Sequence, residues 1–254
     1  MEPIFGGMLA FLKFVAWCSG GTLATGILYE TKDVWKGILP KMKVKEVESI
    51  FTEHKEHGTV LGITRHGKTY GAIKSMERIK DEAVFFFNTQ HEKVGSKWTT
   101  VDPRYNEWEQ VEYLLENKKK INWLPSTRIE DMHSEIVYIV DKLYNGEMRN
   151  VRVVFDEVHL FKKKALEQIQ RIATTGLRWG MRGVFISQRP AKVDNTLYTQ
   201  STNHVIFALG SADYQYLHGQ GFPIEELKEK VRGEKYIFVS FDQKEVSEPK
   251  TIKK

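Results

Sequence analysis

Residues 62–69 read Gly62-Ile63-Thr64-Arg65-His66-Gly67-Lys68-Thr69 and fit G-x-x-x-x-G-K-[ST] without a mismatch. The glycines let the backbone turn so that successive N–H groups face one anion. A helix starting at Lys68 would aim its positive end at the same point. Lys68 would reach the β and γ phosphates of a nucleotide, and the Thr69 hydroxyl would bind Mg²⁺. A second run, Val151-Arg152-Val153-Val154-Phe155-Asp156-Glu157, is an apolar strand closing in two carboxylates. Asp156 is placed to hold the Mg²⁺ shell and Glu157 to polarise an attacking water. A third, Gly183 to Pro190, ends a strand in Ser187-Gln188-Arg189-Pro190, which would bring the Gln188 amide near the γ-phosphate if it neighbours the Asp156 strand. His159 completes Asp-Glu-Val-His, but a single tetrapeptide in a chain of this length does not make a two-domain helicase, and His159 is read as a neighbour of the site.

These residues need a frame that brings three strand ends together. From Gly58 onward apolar runs of strand length alternate with helical patterns. Strands are predicted over 58–61, 83–89, 120–124, 151–155, 183–187, 204–209 and 236–241. Helices are predicted over 68–80, 107–117, 129–144, 163–179, 213–219 and 224–231, with 90–106 an irregular loop. Alternation of this kind predicts an α/β fold with a mostly parallel central sheet covered by helices on both faces. Trp98, Tyr105 and Trp108 are expected to pack.

The chain of 254 residues is 41% hydrophobic and 28% charged, which excludes a disordered composition. A single cysteine, Cys18, excludes an internal disulfide and a cysteine-cluster metal site. The net charge of +5 is compatible with a polyanionic partner without requiring one. Lys162–Lys164 and Lys118–Lys120 are candidate phosphate contacts, although short lysine runs are usually solvated. Residues 4–29 are apolar or small except for Lys13, and several lysines follow. Residues 1–30 are therefore expected to associate with a membrane or dock on a partner, with the bulk of the chain on the cytoplasmic side. Residues 31–57 read as a charged connector, 58–245 as the nucleotide-binding domain and 246–254 as a polar tail.

The ordered motifs from Gly62 to Pro190 resemble those of the HerA/FtsK superfamily of DNA-pumping P-loop ATPases. The resemblance covers about two-thirds of the chain. It implies an additional-strand, catalytic-glutamate P-loop NTPase using ATP and Mg²⁺, with Glu157 and Gln188 as catalytic residues. It also implies a homo-oligomeric ring, usually a hexamer, in which a neighbour supplies an arginine to the γ-phosphate. Leu177 stands where that arginine often falls, which selects Arg178 one position on, with Arg182 second. In its length the chain resembles the small viral motors that package double-stranded DNA, which implies a location in the host cytoplasm or virion, with membrane and capsid-vertex proteins as further partners. The alternatives are a filamentous-phage-type assembly and DNA-export ATPase and a nucleotide-binding membrane-vertex scaffold.

Overall fold

The structure, a computed structural model, describes residues 56–103, 108–117, 119–146, 148–233 and 235–252. The predicted N-terminal segment and nearly all of the connector, with Lys118 and Tyr105, lie outside the described residues. Among the described residues no helix is long and apolar enough to cross a membrane.

Among the described residues nine strands form one sheet: β1 (Gly58–Leu61), β2 (Ala83–Phe87), β3 (Trp98–Val101), β4 (Lys120–Trp123), β5 (Val151–Phe155), β6 (Met181–Ser187), β7 (Asn203–Phe207), β8 (Ile237–Phe241) and β9 (Lys250–Thr251). Their spatial order is β3-β4-β2-β5-β6-β1-β7-β8-β9. Every pairing from β3 across to β7 is parallel, while β8 and β9 pair antiparallel. The strand carrying Gln188 thus lies between those carrying the glycine-rich loop and Asp156, which is the additional-strand arrangement the motif order implied.

The helices are α1 (Lys68–Met76), α2 (Trp108–Glu116), α3 (Ile129–Asn145), α4 (Lys163–Thr175), α5 (Asn195–Thr199), α6 (Ser211–Gly219) and α7 (Ile224–Val231). Side chains alternate across a strand, so each buried strand feeds two cores. Phe85, Phe87, Val153, Phe155 and Ile206 join the larger core with residues of α2, α3, α4, α6 and α7. Val84, Phe86, Val154, Val205 and Phe207 join the smaller one with Ala72, Ile73 and Met76 of α1. Both faces are covered, as predicted, but very unequally. The apolar positions of α3 at helical spacing (Met132, Ile136, Ile139, Val140, Leu143) are all buried.

Several boundaries differ from those predicted. The helix expected over 68–80 ends at Met76, because Arg78 N–H to Ser75 O and Ile79 N–H to Met76 O are three-residue bonds that tighten the chain. The helix expected over 163–179 stops at Thr175 and continues as a 3₁₀ turn, Gly176–Trp179, closed by Gly180 at φ 71°. β3 replaces part of the expected loop; Thr99 and Thr100 are exposed while Trp98 and Val101 are buried, so only two apolar residues mark it. Trp98 and Trp108 are packing residues, as expected.

Candidate nucleotide site

Three strand ends converge at the carboxyl edge of the sheet, the place where open parallel sheets bind ligands. In register, Leu61 of β1 lies beside Ser187 of β6, and Phe155 of β5 beside Phe185 of β6. The residues that follow these positions line a cleft of about 520 Å³: Thr64, Arg65, Gly67, Lys68, Thr69, Tyr70, Glu157 and Gln188, joined by Gln90, Glu92, Lys235 and Tyr236.

The loop at 62–69 leaves β1 with Gly62 N–H donating to Ser187 O (3.3 Å) and Ile63 N–H to Ala208 O (2.8 Å), so it is tied to both neighbouring strands. A Cβ on Gly62 would come 2.6 Å from Phe207 Cβ, closer than packed carbons approach. Gly67 caps α1 at φ 98°, and a Cβ there would meet the Tyr236 ring at 2.7 Å. Both glycines are thus required by close approach, and Gly67 also by its backbone angle. His66 Nδ1 lies 3.0 Å from Thr64 O, and Tyr236 N–H donates to His66 O (3.2 Å), bracing the loop from the β8 side. The first turn of α1 has no acidic residue, so its N–H groups and positive end face the cleft without internal competition.

Lys68 is buried; its Nζ donates to Ile63 O (3.1 Å), and burial lowers its pKa against the raising influence of Glu157 and Asp156. Thr69 Oγ1 donates to Asp156 Oδ1 (3.2 Å). Asp156 is completely buried, and its Oδ2 has no hydrogen-bond partner among the described residues. Burial first, and then the charge of Glu157, push the Asp156 carboxyl up to about 7. A buried carboxylate with an unanswered oxygen beside a threonine hydroxyl is the donor set a hard cation takes. Asp156 and Thr69 therefore fit Mg²⁺. When bound, that ion would offset the charge of nucleotide phosphates and orient their oxygens.

Glu157 is held in the left-handed region at φ 52°, ψ 51°, a conformation that costs a non-glycine residue about 1 kcal/mol. Its Oε2 accepts from Gln188 N–H (3.1 Å) and lies 3.1 Å from His159 Nδ1, which is also 3.1 Å from Ser187 Oγ. Ser187 Oγ accepts in turn from Arg189 N–H (3.0 Å). The glutamate is thus pinned to the end of β6 by groups of β6 itself and by His159. The Gln188 side chain is bonded to Thr64 Oγ1, across the mouth of the glycine-rich loop. His159, read from sequence as a neighbour of the site, contacts the candidate catalytic carboxylate directly.

Arg178 does not join this cleft. It is exposed in the turn before β6, at the amino edge of the sheet, whereas Gln188 follows the carboxyl end of that seven-residue strand. Arg182 lies at the same far edge and pairs with Glu82 (3.1 Å). Lys120 donates to Ile79 O (2.6 Å), while Lys162, Lys163 and Lys164 are exposed at the start of α4. Glu92, Gln90, Tyr70, Lys235 and Tyr236 were not singled out from sequence. Tyr70 lies in α1 directly after the motif, whereas the other four come from loops after β2 and before β8 that carry no recognisable spacing, and only the fold brings them to the cleft.

The sequence matches no protein-family model and no curated protein. Solved structures do match. The genome packaging NTPase B204 from Sulfolobus turreted icosahedral virus 2, in complex with ATP-gammaS, superposes with a TM-score of 0.60 at 14% identity, over 78% of this chain and 98% of that one. Its complex with AMPPCP gives 0.59 at 14% identity over the same shares. The chain has the fold of these packaging NTPases. B204 from Sulfolobus turreted icosahedral virus, a DNA-packaging ATPase, gives 0.54 at 15% identity, again over 78% of this chain and 98% of that one. The resemblance drawn from motif order alone thus agrees with the fold.

Proposed function

We propose that this chain hydrolyses ATP with Mg²⁺ and uses the energy to move double-stranded DNA, packaging a viral genome into its capsid. The observation that carries this is the convergence of Lys68, the Thr69–Asp156 pair, Glu157 and Gln188 on one cleft, with β6 inserted between β1 and β5. The glycine-rich loop and Lys68 bind the phosphates, and Thr69 with Asp156 hold the cation. Glu157 accepts the proton of the attacking water, and the Gln188 amide contacts the terminal phosphate. The likeness to B204 supports DNA as the cargo.

The chain works as a ring, with Arg178 serving the γ-phosphate of a neighbouring copy. In support, Arg178 is exposed and outside its own cleft, as a residue acting in trans must be. Residues 4–29 hold the motor at a membrane or a capsid vertex.

The test is ATP turnover by the full chain with double-stranded DNA, with single-stranded DNA and with neither, alongside Lys68→Ala. Turnover stimulated by duplex DNA and reduced at least about 100-fold in the variant is expected. Stimulation by single strands alone would replace packaging with DNA export. Turnover indifferent to DNA would leave an ATPase without a DNA cargo, and no turnover would point to the scaffold.

A further inference from the structure

Glu92 lies outside every motif in the sequence, yet the fold brings it to the cleft that holds the candidate cation site. It sits in the loop leaving β2, and β2 pairs with β5 so that Phe87 lies beside Phe155. Asp156 N–H donates to Phe87 O (3.1 Å), and Thr89 Oγ1 donates to Asp156 O (3.2 Å), stitching this loop to the Asp156 backbone. Asn88 then ties the loop into a closed turn: its Oδ1 accepts from Glu92 N–H (2.9 Å) and its Nδ2 donates to Glu92 O (2.8 Å). The same Nδ2 donates to Asn122 Oδ1 of β4 (2.8 Å), and Asn88 is completely buried. Position 92 is therefore set by a reciprocal side-chain clamp anchored in the sheet, unusual order for an exposed residue.

The Glu92 side chain lines the cleft together with Lys68, Thr69 and Glu157. No ion pair or hydrogen bond offsets the Glu92 carboxylate among the described residues, and the buried Asp156 Oδ2 has no partner among them either. The buried, unanswered Asp156 oxygen is costly unless a cation takes it, and Glu92 is held at the same cleft with its carboxylate open to that cation's water shell.

We propose that Glu92 is a further carboxylate of the magnesium site, holding water of the ion's shell alongside Asp156. Mg²⁺ keeps several of its waters when bound, and outer carboxylates that accept from those waters orient and tighten it. The inference rests on the nucleotide reading of the cleft given above, and Glu92 is a positioning residue for the cation.

The test is AMPPCP binding to the full chain by calorimetry, with and without Mn²⁺, for wild type and Glu92→Gln. Glu92 makes its fixed contacts through its backbone, so the variant folds, and an unchanged melting temperature checks this. Wild type gains affinity on adding Mn²⁺. In Glu92→Gln the metal-free affinity is equal or higher, because a negative charge near the phosphates is gone. The gain from Mn²⁺ falls by about tenfold or more. This deficit persists in about 1 M salt, where a diffuse field is screened within a few ångströms. An equal Mn²⁺ gain in both proteins overturns the proposal, as does a deficit that salt abolishes. Wild type that binds no AMPPCP even with Mn²⁺ overturns the nucleotide reading itself and this proposal with it.

Discussion

The two edges of the sheet, about 20 Å apart along β6, both bury charge, and they handle it in opposite ways. At the amino edge Arg152 is only 2% exposed, and Glu82 answers it at 2.7 Å and Arg182 at 3.1 Å with its two oxygens. Beside them His57 accepts Gly183 N–H at 2.8 Å, and burial holds its pKa down to about 4, so it stays neutral. At the carboxyl edge two adjacent acids, Asp156 and Glu157, are buried together; one has an orphan oxygen and the other a left-handed backbone. The first edge answers its buried guanidinium within the chain. The second leaves its charges to be resolved by a ligand, at a cost to the free protein.

The sharpest way to break the contrast is Glu157→Gln. It keeps the shape of the side chain and an oxygen that can accept from Gln188 N–H, and it removes the charge and the proton acceptor. Turnover should fall by about 10²- to 10⁴-fold while AMPPCP binding in the presence of Mg²⁺ is retained. Single-turnover kinetics alongside calorimetry measure both. Loss of binding in step with turnover would assign Glu157 to holding nucleotide and take the catalytic role from it.

Glu82→Ala attacks the other edge. It strands a buried guanidinium, and removal of one partner from such a pair costs about 3–5 kcal/mol. Urea denaturation should show that loss, and adding Arg152→Met should recover much of it. Nucleotide affinity per folded molecule should be unchanged, because the cleft lies at the opposite edge. A weakened affinity in a fully folded sample would mean that the two edges are coupled through the sheet.

The same contrast explains what could be read from the sequence. The phosphate loop was legible because its chemistry is local: eight consecutive residues carry the glycines, the lysine and the hydroxyl. Asp156, Glu157 and Gln188 were legible because each directly follows an apolar strand, and a strand end is where parallel sheets present chemistry. β3 was missed because Thr99 and Thr100 are polar and exposed, so pairing with β4 makes it a strand where its own pattern does not. Arg178 was ranked before Arg182 by counting along the sequence alone; the fold adds that Glu82, 100 residues from Arg182, engages Arg182. Glu92 was invisible for a similar reason, since its position depends on Asn88 and, through it, on Asn122. The residues that sequence alone cannot place are those fixed by partners on other strands.

The smallest effect separates the edges by pH. Asp156 titrates near 7 in the folded protein, against an ordinary 3.8, so between those values the folded state binds more protons than the unfolded chain. By linkage its contribution to stability falls as pH rises through that window, and the full deficit is present above it. His57 and His204, both pushed down to about 4 by burial, act in the other direction. They bind fewer protons folded than unfolded, so their contribution is complete above their ordinary 6.5 and is lost as pH falls toward about 4. A melting curve of wild type alone mixes the two trends, and the difference between wild type and Asp156→Asn isolates one. Without metal or nucleotide the variant should be the more stable at pH 8 by roughly 1–3 kcal/mol, since it keeps an acceptor for Thr69 and sheds the charge. The gap should close on going to about pH 4, where the wild-type carboxyl is protonated in the folded state. A gap that stays constant with pH would trace the instability to packing at position 156, and the carboxyl edge would then store strain of shape where unanswered charge is expected.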